Sequence, residues 1–214
     1  MSQIKLVVFD MDGTIIEPRS SWAMIHDHFG TDNSEMLQMY IDHKISDKEF
    51  VKADIALWNS KSDRPVNEEY INSILDKAKP TRGAEELITS LHEENIKTLI
   101  LSGGIQYLAD KWAKKWNMDD ALANDLIDDS EGNLTAIIKS SGHNKGPVME
   151  GMIEKYNLSK NEIAAVGDTV VDIPTFERAG LSVAVNTEDE RVISKANYHL
   201  KGDLSELTKL ILNW

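Results

Sequence analysis

The chain has 214 residues, enough for one large domain or for one domain that carries a small insertion. Its 41% hydrophobic and 28% charged residues are typical of a soluble globular protein and exclude a wholly disordered chain. The net charge of −13 argues against binding to nucleic acid or to an anionic membrane, and the absence of cysteine excludes disulfides and thiolate chemistry.

Apolar runs are short, so we expect neither a membrane-spanning helix nor a signal peptide, and we predict a cytoplasmic protein. The first predicted element is a buried strand over Ile4–Phe9, which ends at Asp10-Met11-Asp12-Gly13-Thr14. In residues 15–80 the apolar positions recur at helical spacing, without strand-like alternation. We predict a helical cap domain there, inserted in a core made of residues 1–14 and 81–214.

Beyond Pro80-Thr81-Arg82-Gly83, predicted helices and strands alternate. The predicted strands are Lys97–Leu101, Ala121–Ile127, Leu134–Ile138, Ile163–Val166, Leu181–Val185 and Tyr198–Leu200, the second and third forming a hairpin. The predicted helices are Ala84–Glu94, Ile105–Trp116, Lys145–Tyr156, Ile173–Ala179, Glu188–Ala196 and Leu204–Leu212. This alternation predicts an α/β fold with a Rossmann-like, mainly parallel sheet covered on both faces.

Polar residues follow three of the predicted strands, where open parallel sheets bind their ligands. These residues are Asp10 and Asp12, the turn Ser102-Gly103-Gly104, and Asp168 with Asp172, while Lys145 begins the helix before the third of these strands. Clustered carboxylates repel one another, so we predict that Mg²⁺ is bound among them. Each motif also has an ordinary structural interpretation, as a turn, a helix cap or a surface lysine.

Asp10 and Asp12 are the sharpest signal. Two residues apart on an extended segment, they point the same way. One carboxylate can attack phosphorus while the other moves a proton to the leaving oxygen. Gly13 allows the chain to turn sharply away after them.

The order of these motifs resembles the haloacid dehalogenase-like hydrolase superfamily, and within it the phosphoserine phosphatase group. The resemblance covers essentially the whole chain. It depends on Asp10-Met11-Asp12-Gly13-Thr14, Ser102, Lys145 and the pair of aspartates in Gly167-Asp168-Thr169-Val170-Val171-Asp172.

The resemblance implies that Asp10 is the nucleophile that forms an aspartyl-phosphate. Asp12 would protonate the leaving alcohol and then activate water. Mg²⁺ would be held by the carboxylates of Asp10 and Asp168 and by the backbone carbonyl of Asp12. Asp172 would orient water bound to the metal without contacting the metal.

Phosphate binding is the second role that the resemblance implies. Ser102 and the N–H of Gly103 would hold phosphate oxygens, and Lys145 would neutralise Asp10 and the phosphoryl group. Gly13 and Thr14, in the first motif, are also predicted to line the phosphate and substrate site.

The sequence departs from the group at the residues that recognise the rest of the substrate. Arg19 stands where the group has a glutamate, Asp54 where its cap has an arginine, and Val171 where an asparagine is usual. We therefore predict altered substrate recognition. Arg19 would either meet a second acidic group on the substrate or pair with Asp54 and hold the cap shut, and Trp22 is an aromatic residue that we expect to face the cleft.

The predicted function is Mg²⁺-dependent hydrolysis of a small phosphorylated metabolite through an aspartyl-phosphate. The alternatives are a phosphotransferase or phosphomutase on the same core, and a noncatalytic member that binds a phosphorylated ligand. The sequence leaves a monomer and a homodimer both open.

Overall fold

The computed structural model describes residues 4–141 and 144–214, so residues 1–3 of the predicted core lie outside the described part. The predicted parallel α/β fold is confirmed. One sheet has seven strands in the order β4-β3-β2-β1-β5-β6-β7, and all neighbouring strands are parallel except the hairpin β3–β4. The strands are β1 (Leu6–Phe9), β2 (Lys97–Ile105), β3 (Asp120–Asp128), β4 (Leu134–Ile137), β5 (Ile163–Gly167), β6 (Leu181–Val185) and β7 (Tyr198–Leu200).

Ten α-helices are found in the described residues, and five of them lie between β1 and β2; the first four fall within residues 15–80, where about four helices were predicted. These four, named here the cap helices, are α1 (Ser21–Phe29), α2 (Ser34–Ile41), α3 (Asp47–Lys61) and α4 (Glu68–Leu75). The others are α5 (Ala84–Glu93), α6 (Gln106–Lys115), α7 (Lys145–Glu154), α8 (Ile173–Phe176), α9 (Glu190–Ile193) and α10 (Leu207–Leu212). Helices α8 and α9 are shorter than predicted. None of the helices described has the length and apolar character needed to cross a membrane.

Strand β1 is central and buried on both faces. Val7 and Phe9 pack into one hydrophobic cluster, and Leu6 and Val8 pack into a second one on the other face. This alternation follows from the two-residue period of a strand, and it explains why the segment is apolar throughout. Because β1 is flanked by β2 on one side and β5 on the other, the strand order reverses next to it. A ligand crevice is expected at that reversal, beyond the carboxyl ends of the strands.

The turn predicted at Ser102-Gly103-Gly104 is wrong, because β2 continues through these residues to Ile105. The pairing of β2 with β3 shifts register between Leu101 and Ile105, which lets the strand continue past an irregular stretch. Helix α6 then begins at Gln106 without a side-chain cap, so the alternative of a serine cap is also not observed.

The cap helices share one hydrophobic cluster with the sheet and its helices. Ile25, Trp58 and Ile71 of the cap helices are fully buried in that cluster. The chain enters and leaves this region side by side, since Glu17 N–H donates to the Lys79 carbonyl and Thr81 N–H to the Ile15 carbonyl, each at 2.9 Å. The division into a core and a cap at residues 14/15 and 80/81 stays a prediction.

Candidate active site

Asp10 and Asp12 lie at the carboxyl end of β1, where the strand order reverses. The backbone N–H of Asp10 donates to the Val166 carbonyl at 2.8 Å, which ties the first residue after β1 to β5. Gly13 follows with a φ of 76°, a conformation that favours glycine. A Cβ on Gly13 would lie 2.4 Å from Oδ2 of Asp168, so only glycine lets the two loops approach this closely.

Lys145, the first residue of α7, reaches into the crevice. Its side chain is 2% exposed, and Nζ lies 2.6 Å from Oδ1 of Asp10 and 2.6 Å from Oδ1 of Asp172. The other oxygen of Asp172 accepts hydrogen bonds from the N–H groups of Asp168 and Thr169, each at 3.0 Å. Asp172 therefore has both oxygens occupied and links the Asp168 loop to the lysine.

The site carries more negative than positive charge. Carboxylate oxygens of Asp10, Asp168 and Asp172 lie within 4.8 Å of one another, and the ammonium of Lys145 contacts two of these residues, Asp10 and Asp172. Burial, reinforced by the neighbouring carboxylates, raises the pKa of Asp10 despite the ammonium of Lys145, and the same causes raise the pKa of Asp168 to about 7. Burial alone would lower the pKa of Lys145, but Asp10 and Asp172 outweigh it and raise that pKa. This oxygen-rich, anionic pocket fits a hard divalent cation.

The carboxylate of Asp12 is held from one side only. Its Oδ2 accepts hydrogen bonds from the backbone N–H of Ser21 at 2.7 Å and from the Ser21 hydroxyl at 2.8 Å. Its Oδ1 is buried and has no partner in the described residues. Burial raises the pKa of Asp12, and the two hydrogen bonds from Ser21 limit the rise. Asp12 can therefore present one oxygen to a ligand while Ser21 fixes the other.

Ser21 was not singled out from the sequence, because its contact with Asp12 depends on how α1 is oriented against the core. With the phosphatase activity that the resemblance implies, we expect Ser21→Ala to lower kcat for an alkyl phosphate about 10- to 100-fold, since a hydrogen bond to a charged group contributes roughly 1.5–3 kcal/mol. Losing that donor also raises the pKa of Asp12, so the pH profile of kcat should move to higher pH.

The matched control for this prediction is Ser20→Ala. The Ser20 hydroxyl accepts from Ala23 N–H at 3.2 Å and caps α1 without touching Asp12. This variant should be about 1 kcal/mol less stable, because α1 loses its cap, and should keep the pH profile of kcat. An unchanged rate and profile in Ser21→Ala would refute a positioning role for Ser21.

Ser102 and Gly103 lie in the extended stretch at the end of β2. The Ser102 side chain is buried, and its Oγ accepts from Gly104 N–H at 3.0 Å. The Gly103 carbonyl accepts two hydrogen bonds, from Nε1 of Trp22 at 3.0 Å and from Nδ2 of Asn124 at 2.9 Å. One donor comes from a cap helix and the other from β3, so this peptide is fixed from both sides. Asn124 carried no signal in the sequence.

Gly13 and Thr14 have their polar groups engaged inside the loop. The Gly13 N–H donates to the Ile16 and Pro18 carbonyls, and the Thr14 hydroxyl donates to Oδ1 of Asp168 at 3.1 Å. These contacts shape the loop around Asp10 and hold the Asp168 side chain in place.

Arg19 and Asp54 do not meet. Asp54, on α3, is completely buried, and its Oδ1 lies 2.9 Å from Nε2 of His26 and accepts from Nδ2 of Asn33. Arg19 is exposed, and its charge acts on Asp168 instead, where it slightly opposes the rise in pKa that burial and Asp172 cause. The alternative that these two residues pair and hold the cap shut is wrong, because Asp54 is buried and binds His26 and Asn33 through Oδ1, while Arg19 is exposed.

A cavity of about 530 Å³ lies between the cap helices and the carboxyl edge of the sheet. On the sheet side its wall includes Gly103, Asn124 and Val171, which adjoin the residues described above. On the cap side it includes Trp22 and Asp54. A cavity of this volume fits a small molecule.

Comparisons with known proteins agree with this geometry. The family model of the haloacid dehalogenase-like hydrolases matches residues 4–180. A phosphoserine phosphatase of Archaeoglobus fulgidus is 31% identical over 189 residues, which cover 86% of this chain but only 53% of that protein, so the chain spans about half the length of this relative. A phosphoserine phosphatase of Methanocaldococcus jannaschii is 26% identical, and the alignment covers 97% of each chain.

Solved structures lead to the same group. A structure described as a phospho-aspartyl intermediate analogue of phosphoserine phosphatase matches with a TM-score of 0.80 and 26% identity, covering 97% of this chain and 99% of the other. A substrate-bound phosphoserine phosphatase complex matches with a TM-score of 0.80 and 25% identity, covering 97% and 98%.

Proposed function

This chain belongs to the haloacid dehalogenase-like hydrolases, and from that membership we propose that it is a phosphatase that hydrolyses a small phosphomonoester through an aspartyl-phosphate on Asp10. The observation that carries the proposal is the buried ammonium of Lys145 between Asp10 and Asp172, beside Asp168. A carboxylate can approach a phosphate dianion only where positive charge is already in place.

In the first step Asp10 attacks phosphorus. We assign the attack to Oδ2, since Lys145 binds Oδ1. A bond forms between Oδ2 and phosphorus, and the bond between phosphorus and the ester oxygen breaks. Asp12 donates a proton from Oδ1, the oxygen that Ser21 leaves unbound, and the leaving group departs as a neutral alcohol.

In the second step water hydrolyses the aspartyl-phosphate. Asp12, now ionised, takes a proton from that water, whose oxygen attacks phosphorus and displaces the Asp10 carboxylate. The products are inorganic phosphate, ionised Asp10 and protonated Asp12, so the enzyme returns to its starting state. Ser102 and the Gly103 N–H are proposed to hold phosphate oxygens during both steps, and the contacts of Trp22 and Asn124 with the Gly103 carbonyl would keep that peptide in place.

Mg²⁺ is the proposed cofactor because the donors are all oxygens and the cluster has excess negative charge. Asp10 and Asp168 would hold it with their carboxylates, and Asp12 with its backbone carbonyl. When bound, the metal neutralises negative charge on the transferring phosphoryl group. Asp172 has both oxygens occupied by Lys145 and by backbone N–H groups, which suits a residue that positions the site without contacting the metal.

The proposal is tested by phosphate release from p-nitrophenyl phosphate, with Mg²⁺ and after its removal by a chelator. We expect release that depends on the metal and that is lost when Asp168 is replaced by asparagine. Addition of a small alcohol distinguishes hydrolysis from transfer, because a transferase would divert the phosphoryl group to the alcohol and release less phosphate. A folded protein that binds Mg²⁺ but releases no phosphate would contradict the proposal.

A further inference from the structure

The cavity beside the active site is strongly anionic. Its wall contains the four aspartates Asp27, Asp32, Asp47 and Asp54. Among the described residues of the wall there is no lysine and no arginine. Asp32 accepts from the N–H and hydroxyl of Ser34, and Asp47 accepts from the Tyr40 hydroxyl at 2.7 Å, so their partners are neutral.

Asp54 is the member of this set that needs a counter-charge most. Its side chain is completely buried in the wall, and Oδ2 has no hydrogen-bond partner in the described part of the chain. On the opposite, sheet-facing side, the buried Oγ of Ser140 also lacks a partner and lines the same cavity. Burying a carboxylate with one oxygen unpaired is costly unless a positive charge or further donors compensate it.

Oδ2 of Asp54 is the oxygen that is left for a ligand. His26 binds the other oxygen, with Nε2 2.9 Å from Oδ1, and Nδ2 of Asn33 donates to the same Oδ1. Nδ1 of His26 lies 3.3 Å from Nε1 of Trp58 and 2.7 Å from the Thr31 hydroxyl, and these contacts fix the ring. The hydrogen bonds that Asp54 makes in the described part of the chain therefore all fall on Oδ1.

The rest of the wall suits a cation with apolar substituents. Tyr40 stacks on Phe50 with ring centroids 5.1 Å apart, and Trp22 stacks on the buried Trp58 at 6.2 Å. Tyr40, Phe50 and Trp22 all line the cavity. Aromatic rings attract ammonium groups and accept their methyl or methylene groups at little cost in desolvation.

We propose that the substrate is the phosphate monoester of an alcohol that carries a positively charged nitrogen and no carboxylate at that end, with Asp54 selecting the cation. The inference rests on the proposed phosphatase function and specifies its substrate class. A substrate carboxylate in this cavity would meet four aspartates, with no lysine or arginine among the described wall residues.

The test compares four substrates of the wild-type enzyme. They are phosphocholine, phosphoethanolamine, 3,3-dimethylbutyl phosphate, which is the uncharged carbon isostere of phosphocholine, and phosphoserine, with p-nitrophenyl phosphate as the reference for phosphatase activity. We expect kcat/KM for phosphocholine or phosphoethanolamine to exceed that for the uncharged ester at least about tenfold, and to exceed that for phosphoserine.

Asp54→Asn keeps the shape of the side chain and removes its charge. We expect it to lower the ratio of kcat/KM between the cationic and the uncharged ester to near one. The matched control is Asp42→Asn, which removes the same charge from the cap at an exposed position outside the cavity wall, where Asp42 pairs with Lys44. This control should keep the wild-type ratio.

Inhibition of the wild-type enzyme provides a measurement that needs no variant. Choline should compete with p-nitrophenyl phosphate more strongly than 3,3-dimethylbutanol does. Hydrolysis of p-nitrophenyl phosphate without preference for either cation overturns this inference alone. A preference for esters with a second acidic group also overturns it and favours Arg19 as the substrate contact. Failure to hydrolyse every ester overturns the proposed function, and this inference with it.

Discussion

Asp10→Asn should abolish turnover and leave the fold intact. The amide cannot form the acyl phosphate, so we expect kcat to fall at least about 10⁴-fold for every substrate, as is typical when a nucleophile is removed. Stability should change little, because burial and the neighbouring carboxylates already raise the pKa of Asp10 and make its ionised form costly. The measurements are phosphate release and thermal unfolding of the variant beside the wild type.

Asp12→Asn should separate the formation of the aspartyl-phosphate from its hydrolysis. With p-nitrophenyl phosphate the leaving group needs no proton, so this variant should still phosphorylate Asp10 and release an initial burst of p-nitrophenol. It should be slow afterwards, because the amide cannot activate water. Asp10→Asn should show neither burst nor turnover. Metal-dependent turnover that persists in Asp10→Asn would disprove its role as nucleophile.

Lys145→Met should damage both activity and stability. Removing the buried ammonium leaves the carboxylates of Asp10 and Asp172 without their shared partner. Loss of one partner of a buried pair costs roughly 3–5 kcal/mol of stability. Loss of a positive charge at the reacting phosphoryl group should lower kcat by about 10²–10³-fold or more.

The stability loss should depend on pH in a defined direction. Without Lys145 the pKa values of the buried carboxyls rise further, and a carboxyl whose folded pKa is raised loses stability as pH rises through that pKa. The difference in unfolding free energy between wild type and Lys145→Met should therefore be largest at high pH and shrink as pH falls towards about 7, the pKa of Asp168 in the wild type, below which this carboxyl is protonated in both proteins. A difference that stays constant over this range would contradict the account.

Lys97→Met is the matched control. Lys97 also forms an ion pair, with Asp119 at 2.7 Å, but it is half-exposed and lies at the other end of β2 from Ser102. Exposed ion pairs contribute little, so this variant should keep its activity and show only a small change in stability.

Much of the candidate site could be predicted because residues that directly follow parallel strands lie at the same edge of the sheet. Asp10 and Asp168 each follow an apolar strand, and the carboxyl ends of parallel neighbours lie at the same edge. Lys145 is different, since a lysine before a helix is most often at the surface. Lys145 could be predicted as a site residue only from its place in the order of the motifs. In the structure its Nζ lies 2.6 Å from Oδ1 of Asp10.

The error at Ser102-Gly103-Gly104 has a local cause. Paired glycines after an apolar run normally indicate a turn, because glycine tolerates conformations that other residues avoid. Here the stretch stays extended, since Trp22 and Asn124 bind the Gly103 carbonyl and the strand pairing resumes at Ile105. Those donors come from distant parts of the chain, so no local pattern could reveal them.

The contacts of Asp54 were beyond sequence reasoning for a similar reason. Helical spacing identifies the buried face of α1 and of α3, but it does not say which residue of one faces which residue of the other. His26 and Asp54 are 28 positions apart and meet only because these two helices pack together. Asp54 stands where the phosphoserine phosphatase group has an arginine, which the sequence shows. Only the packing of the two helices shows that Asp54 contacts His26 and not Arg19.

The side-by-side entry and exit of the cap helices bear on how this enzyme could have diverged from its relatives. Backbone hydrogen bonds join Glu17 to Lys79 and Thr81 to Ile15, so the two ends of the intervening segment are fixed to each other. Substitutions within that segment leave the spacing of β1 and β2 unchanged. If Asp54 selects the alcohol as proposed, substitutions in this segment would change the preferred alcohol while the residues proposed to handle phosphorus stayed as they are.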